Sequence, residues 1–462
     1  MTTGTRPSFT TLQTKFRGEI LFPQSPGYDQ ARAIWNAMID KHPLAIARCT
    51  SVADVVAAVN FAREQRIEVA IRGGGHNIAG NALCDGGLVI DLSLMKSVVV
   101  DSIARRVHVG PGATLADIDR ETQKFGLATP TGINSTTGIA GLTLGGGFGW
   151  LSRRFGLTVD NLVAAEVVTA DGRVVRANPR ENADLFWALR GGGGNFGVVT
   201  DFEFQLHPVG PEVLAGLLVF HLADAKTVLQ KHRAFLAAAP AELNVWAVLR
   251  KAPPLPFLPA EIHGRDIIAL AVFYSGNPAD GMKLIEPLRH FARPVGEHIG
   301  AQPFTAWQQA FDPLLTAGAR NYWKSHNFAD LPDGLLDVVI TYAGKLPSPH
   351  CEIFLGTLGG VTTRVAPDAM AYGNRDTNFV VNVHSRWEMP PEDQACIGWA
   401  RDFFRASTPF ATGGVYVNFL TADESDRVAA AYGPNYPRLT QIKAKYDPAN
   451  LFHVNQNIKP AA

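Results

Sequence analysis

Ile71-Arg72-Gly73-Gly74-Gly75-His76-Asn77-Ile78-Ala79-Gly80-Asn81 follows a β-like run, Glu68-Val69-Ala70-Ile71. Three successive glycines let the backbone enter left-handed conformations and come close to a ligand. Consecutive amides in such a loop form a concave nest suited to a phosphate. Arg72 stands beside the nest, where a guanidinium pairs with one. His76 then projects from a loop that neither a strand nor a helix would hold. Upstream, Ser51 and Asp54 form a capping box, and the helix they start is apolar at Val55, Val56, Val59 and Ala62. Pro43–Arg48 reads as a strand before it. The loop thus ends the second strand of a β-α-β unit, a common ligand position in α/β architecture. The alternative is a tight turn carrying a surface histidine.

Two more glycine arrays tip the balance toward a diphosphate-bearing cofactor. Gly138-Ile-Ala-Gly141-Leu-Thr-Leu-Gly145-Gly146-Gly147-Phe-Gly149 is preceded by the hydroxyls of Thr136 and Thr137. Gly191-Gly192-Gly193-Gly194-Asn195-Phe196-Gly197 leads into a strand, Val198–Leu206. Gly145-Gly146-Gly147-Phe148-Gly149 lacks the GxGxxG spacing and the following acidic residue of a dinucleotide fingerprint. No GxxxxGK[ST] element is present, which excludes a P-loop, and no GxSxG elbow marks a serine hydrolase.

Further out, Leu88–Leu92, Ser97–Asp101, Arg105–Val109 and Leu162–Ala170 read as strands. Thr114 and Asp117 cap a helix, 114–125, and Asn182–Arg190 reads as another. Asp171-Gly172 signals a type I′ hairpin. Residues 1–39 form a lead-in ending in a helix near Asp29–Asp40, and 40–208 a glycine-rich α+β unit. Residues 209–410 carry fewer glycine clusters, more aromatics and a proline-rich loop, Pro253–Pro259. There Ile267–Phe273, Leu336–Tyr342 and Phe379–His384 read as strands, and Lys283–Arg293 and Asp393–Arg405 as covering helices. Residues 411–462 hold a strand-like Val415–Phe419 and a helix, Tyr436–Tyr446.

The 462-residue chain carries 42 basic and 42 acidic side chains, a balance that excludes nucleic acid or an acidic membrane surface as a partner. No apolar run reaches the length of a spanning helix, and Met1–Pro23 lacks the apolar stretch of a signal peptide. A cytoplasmic protein is expected. Cys49, Cys84, Cys351 and Cys396 are scattered, so buried thiols are expected rather than disulfides, and no metal site.

The motifs Arg72–Asn77, Thr136-Thr137-Gly138-Ile139-Ala140-Gly141, Asp184–Gly197 and Tyr446-Asp447-Pro-Ala-Asn450-Leu451-Phe452 occur in an order and spacing that resembles bacterial berberine-bridge-enzyme-like FAD oxidases. These belong to the vanillyl-alcohol-oxidase, or PCMH-type, flavoproteins. The resemblance runs from about residue 28 to 460 and is weakest over 210–370. It implies an α+β fold: a two-subdomain FAD-binding domain, completed by the C-terminal segment. A substrate domain with an antiparallel sheet and covering helices roofs the flavin. It implies FAD bound covalently through His76. Cofactor contacts are implied at Arg72, Gly73, Gly74, Gly75, Asn77, Gly80, Thr131, Gly132, Thr136, Thr137, Gly138, Gly141, Leu142, Gly145, Val199, Tyr416 and Asn455. Many relatives add a second link through a cysteine. Asn134 stands at that position and cannot form a thioether, so a single link is expected. Thr137 falls where relatives gate oxygen, and its small size favours an oxidase.

The activity so implied is oxidation of an alcohol, amine or sugar-like small molecule by hydride transfer to the flavin, with oxygen as acceptor. The alternatives are a dehydrogenase serving a quinone or other carrier, and a flavin protein that oxidises nothing. Such chemistry needs a base at the substrate proton. Tyr416 and Asn418 match a Tyr-x-Asn strand near the flavin, and a cation would stabilise a tyrosinate there. Lys324 and Arg386 are the candidate cations. His384, Arg386 and Asn382 share one face of an alternating strand, so His384 is a further catalytic candidate.

Overall fold

The computed structural model describes residues 8–462; the first seven positions of the lead-in lie outside the described residues. Four strands form the first sheet: β1 (Glu19–Leu21), β2 (Ala45–Arg48), β3 (Val69–Arg72) and β4 (Leu88–Asp91), in the order β1-β2-β4-β3. β2, β4 and β3 run parallel. The helix Val52–Gln65 joins β2 to β3, and Ser51 and Asp54 make the reciprocal capping hydrogen bonds that start it. The glycine-rich loop therefore leaves the carboxyl end of a parallel strand.

The second sheet is antiparallel, in the order β5-β6-β10-β8-β9. Its members are β5 (Val98–Asp101), β6 (Arg106–Val109), β8 (Leu162–Val168), β9 (Val174–Ala177) and β10 (Val198–Gln205). The short β7 (Leu127–Ala128) and β11 (His207–Pro208) pair beside it. The turn between β8 and β9 is not type I′. Gly172 alone is left-handed, with φ +81°, and its N–H bonds to the Thr169 carbonyl. That is a type I turn closed by a glycine, because Asp171 keeps an ordinary backbone.

The third sheet has seven antiparallel strands in the order β15-β12-β14-β13-β17-β18-β16. They are β12 (Glu212–His221), β13 (Leu243–Lys251), β14 (Asp266–Tyr274), β15 (Gly296–Pro303), β16 (Arg320–Phe328), β17 (Glu352–Thr357) and β18 (Phe379–Trp387). Helices Ala225–Ala238, Asp333–Ala343 and Asp393–Ser407 cover one face, burying Leu229, Leu336, Val339 and Phe403 against Leu270, Ile353 and Val381. Each such buried side chain contributes about 1.5–3 kcal/mol. The other face turns toward the glycine loops, with Trp246, Phe273 and Phe354 packed on Trp150 and Phe148.

Three local expectations are corrected here. Leu336–Tyr342 is helical, inside Asp333–Ala343, because Leu335, Leu336, Val339 and Ala343 recur with the helical period on one buried face. The helix expected over Asp29–Asp40 stops at Arg32, with Ala33 extended. Beyond it, Asn36 bonds through its side chain to the carbonyls of Ile78 and Asn321 and holds the chain irregular. Val415–Phe419 is not a strand: Tyr416 is extended and Val417–Phe419 make a 3-10 turn. Asn418 donates to the carbonyls of Gly141 and Leu142, so the segment pairs with a helix end rather than with a sheet.

All four cysteines are buried and unpaired. Among the described residues no helix is long and apolar enough to cross a membrane. Burial pulls the rings of His232 and His326 down to about 4 from an ordinary 6.5. Between those values the unfolded chain binds protons that the folded one refuses. Stability is therefore full above about pH 6.5 and falls as pH drops toward 4. Each ring supplies a slope of about 1.4 kcal/mol per pH unit inside that window. Urea midpoints should fall between pH 7 and 5, and His232→Gln should flatten the fall. Equal slopes in the two proteins would contradict the assignment.

Candidate active site

Between the glycine loops and the inner face of the seven-stranded sheet lies a cavity of about 300 Å³. Gly73–Asn77 form one wall. The segment Gly132–Asn134 and the start of the helix Ile139–Leu144 form a second, and Gly193–Asn195 a third. The C-terminal stretch closes it through Phe452, Val454, Asn455 and Gln456. That stretch is pinned by Lys443, whose ammonium is fully buried and bonds Asp447 at 2.7 Å and the carbonyls of Asn195 and Phe452.

The first two loops meet backbone to backbone. A Cβ on Gly74 would lie 2.4 Å from the Gly138 nitrogen, and one on Gly138 equally close to that of Gly74. Gly75 is left-handed, with φ +71°. Gly141 differs: its missing side chain faces open space in the cavity, and its backbone is helical.

His76 borders this cavity and stacks on Trp35, ring centroids 5.3 Å apart. Its Nε2 lies 3.1 Å from the Thr136 hydroxyl, which donates its own proton to Asn134 Oδ1 at 2.7 Å. Thr136 must therefore accept from Nε2–H, and this tautomer leaves Nδ1 with its lone pair, 3.5 Å from the Thr137 hydroxyl. Burial holds the ring down at about 4, so it is neutral near pH 7.

The sheet contributes a second histidine. His384 on β18 lies between Trp323, 4.5 Å away across the strand pair, and Phe354 on β17. Its Nδ1 is 2.9 Å from Glu352 Oε1, and Arg250 donates to Oε2 of the same carboxylate at 2.6 Å. Burial works against the Glu352 charge, but the Arg250 guanidinium and the His384 ring outweigh it and hold the carboxyl at about 2. A carboxylate only accepts, so Nδ1 carries the hydrogen and Nε2 is the free acceptor. Nε2 is buried without a partner in a ring that borders the cavity.

Residues 43–178 match the FAD-binding domain family, and 415–459 the berberine and berberine-like family. The chain is 34% identical over 428 residues to an FAD-linked oxidoreductase of Dictyostelium discoideum, covering 92% of this chain and 91% of that one. The chain belongs to the berberine-bridge-type FAD-linked oxidoreductases. A chitooligosaccharide oxidase of Gibberella zeae is 30% identical over 477 residues, covering 95% of this chain and 92% of its own. Among solved structures, 6-hydroxy-D-nicotine oxidase from Arthrobacter nicotinovorans superposes with a TM-score of 0.85 at 28% identity, covering 98% and 99% of the two chains. The fold is the PCMH-type pair of α+β subdomains with an antiparallel substrate sheet.

The oxidoreductase's cavity suits FAD on its own geometry. Its walls are bare backbone where Gly74 and Gly138 touch, and Asn455 Oδ1 is buried without a partner. Gly73–Gly75, His76, Asn77, Gly132, Thr137, Gly138, Gly141, Leu142, Val199, Tyr416, Asn418 and Asn455 all line it, as does His384.

Other expected residues lie outside that wall. Arg72 lays its guanidinium against the outer side of Gly75 and donates to the Ala31 carbonyl. Gly80 is a left-handed turn residue against Ile39. Thr131 accepts from Gln308, Gly145 packs on Asn418, and Thr136 acts through His76. The surroundings of Tyr416 raise its pKa instead of depressing it. Burial pushes Tyr416 up to about 12, and its hydroxyl already accepts from Gly147 N–H and Asn418 Nδ2. Lys324 lies on the opposite face of β16, bound to Thr421, Asp423 and Glu424. Arg386 sits over the Trp35 ring and donates to Thr316, where it flanks the site without entering the wall.

Sequence reasoning missed Glu352 and Trp35. Glu352 is 32 residues from its histidine, and no spacing ties the two. Trp35 falls in a stretch expected to be helical. The third glycine array was visible, but its place in the wall depends on the C-terminal segment folding over it.

Proposed function

We propose that this oxidoreductase oxidises an alcohol carbon, with His384 as the base. The observation that carries this is the His384 ring, which borders the cavity with a buried, unpartnered Nε2 and is backed by Glu352 on Nδ1. The substrate hydroxyl donates to Nε2 and loses its proton there as the carbinol carbon gives up its hydride, leaving a carbonyl. Glu352 fixes the tautomer and stabilises the imidazolium that results, and Arg250 keeps Glu352 charged. Tyr416 stays protonated, and with two donors already on its oxygen its own O–H is free to donate. When bound, FAD accepts the hydride and passes the two electrons to oxygen, giving hydrogen peroxide. The compact Thr137 in the wall supports oxygen as that acceptor. Screening alcohols under air for peroxide tests the assignment; flavin reduction that only a quinone reverses would make the protein a dehydrogenase.

His76 holds FAD covalently in this reading. A neutral imidazole with a free Nδ1 is a competent nucleophile toward the flavin methyl position, and Trp35 fixes its ring plane. Asn134 caps its own turn through Thr136 and offers no second link. Acid-precipitated protein should stay yellow, with one flavin-bearing peptide, the one containing His76. His76→Ala should release the colour to the supernatant while FAD still binds. Colour lost from the unmodified protein would end the covalent assignment.

A further inference from the structure

A second cavity, of about 60 Å³, adjoins the first. Both are walled by Ile133, Trp246, Leu315, Phe354 and His384, so His384 stands at their junction. Leu217, Val248 and Ala269, on the inner face of β12, β13 and β14, line this chamber. Leu255 and Leu258 reach it from the loop between β13 and β14. Four prolines, at 253, 254, 256 and 259, restrict that loop's backbone, so the wall is largely set in advance.

The chemistry of the wall is one-sided. Apart from Arg250, Glu352 and His384, every side chain in it is apolar or aromatic. Those three are bound to one another, which leaves His384 Nε2 spare, and the Trp150 indole N–H is the other unpartnered side-chain group of the wall. A hydroxyl placed away from both would lose its water and find no partner. A chain of CH₂ groups would lose water at a gain. The volume holds about four to six water-sized groups.

The geometry points to an alcohol substrate whose oxidisable carbon sits at His384 and whose apolar tail, of about four to six heavy atoms, fills this chamber. This inference rests on His384 as the base. It sets the protein apart from an oxidase of oligosaccharides, whose ring hydroxyls the chamber cannot serve.

Primary n-alkanols from ethanol to 1-octanol, titrated anaerobically into the flavin-loaded protein, test it. The shift of the flavin's visible absorbance reads binding, and its bleaching separately reads reduction. The dissociation constant should fall about fourfold for each added methylene. The fall should stop between about 1-pentanol and 1-heptanol, where the chamber is full. Ala269→Leu should end the trend one or two carbons earlier. Leu255→Ala, on a half-buried loop position that tolerates truncation, should extend it. A flat series in the unmodified protein, or cellobiose bound more tightly than 1-hexanol, overturns the inference. His384→Asn should keep the chain-length series while slowing bleaching. A failed base assignment therefore shows in the rate, and a failed chamber in the affinities.

Discussion

His384→Asn should slow reduction of the bound flavin by an alcohol about 100- to 10,000-fold, the usual loss on removing a general base. The ring is gripped on both faces by Trp323 and Phe354 and at one edge by Glu352, so its free nitrogen has a fixed direction. Asn fills part of the space but offers no comparable base. FAD should still bind, because the glycine loops supply most of the cavity wall and β18 contributes only His384 to it. Glu352→Gln should cost less than His384→Asn. It keeps an acceptor for Nδ1–H but loses the charge that steadies the imidazolium, and it leaves the partly buried Arg250 beside a neutral group. Stopped-flow reduction of the three proteins, across pH, measures both effects. A His384→Asn rate within about threefold of the parent, under 1 kcal/mol, would remove the base from this position.

Gly74→Val should give colourless protein. Its Cβ would stand 2.4 Å from the Gly138 nitrogen, so the two loops must separate, and with them the wall that FAD lies against. No rotamer relieves a clash between a Cβ and a backbone atom. Gly141→Val is the informative partner. Its Cβ meets nothing within 4 Å outside its own helix and its backbone is helical, so the variant should fold. It should still lose FAD, because its isopropyl group enters the space assigned to the cofactor. Flavin content by absorbance, beside circular dichroism for the fold, separates the two. Full FAD loading in Gly141→Val would move the cofactor elsewhere in the cavity.

The chain announced its cofactor half more clearly than its substrate half, for physical reasons. Capping boxes at Ser51 and Thr114 are local chemistry, readable within four residues, and both are built. The glycine loops were legible because bare backbone is itself the functional feature. Leu336–Tyr342 was read as a strand because a short apolar run does not declare its period. Tyr416 was expected to be acidic because its surroundings were unseen. Asn418, two residues on, is the only one of its hydrogen-bond donors near it in the chain; the other, Gly147, and the Phe148 ring that helps bury it are 269 and 268 residues away. His384 was visible as a polar residue on an alternating strand. Glu352, which gives it a direction, lies across a strand pairing that no local pattern encodes.

The buried Lys443 has a consequence for how the molecule is made. A chain growing from its amino end exposes the first glycine loops long before Lys443 and Asp447 exist to fasten the closing segment. Phe452–Gln456, which complete the wall, follow the whole seven-stranded sheet in chain order. The pocket therefore cannot be finished on the ribosome in the order its walls are synthesised. Binding of FAD must wait for, or itself drive, the docking of the carboxyl-terminal segment. That makes loading a checkpoint on the whole chain rather than on its amino-terminal half.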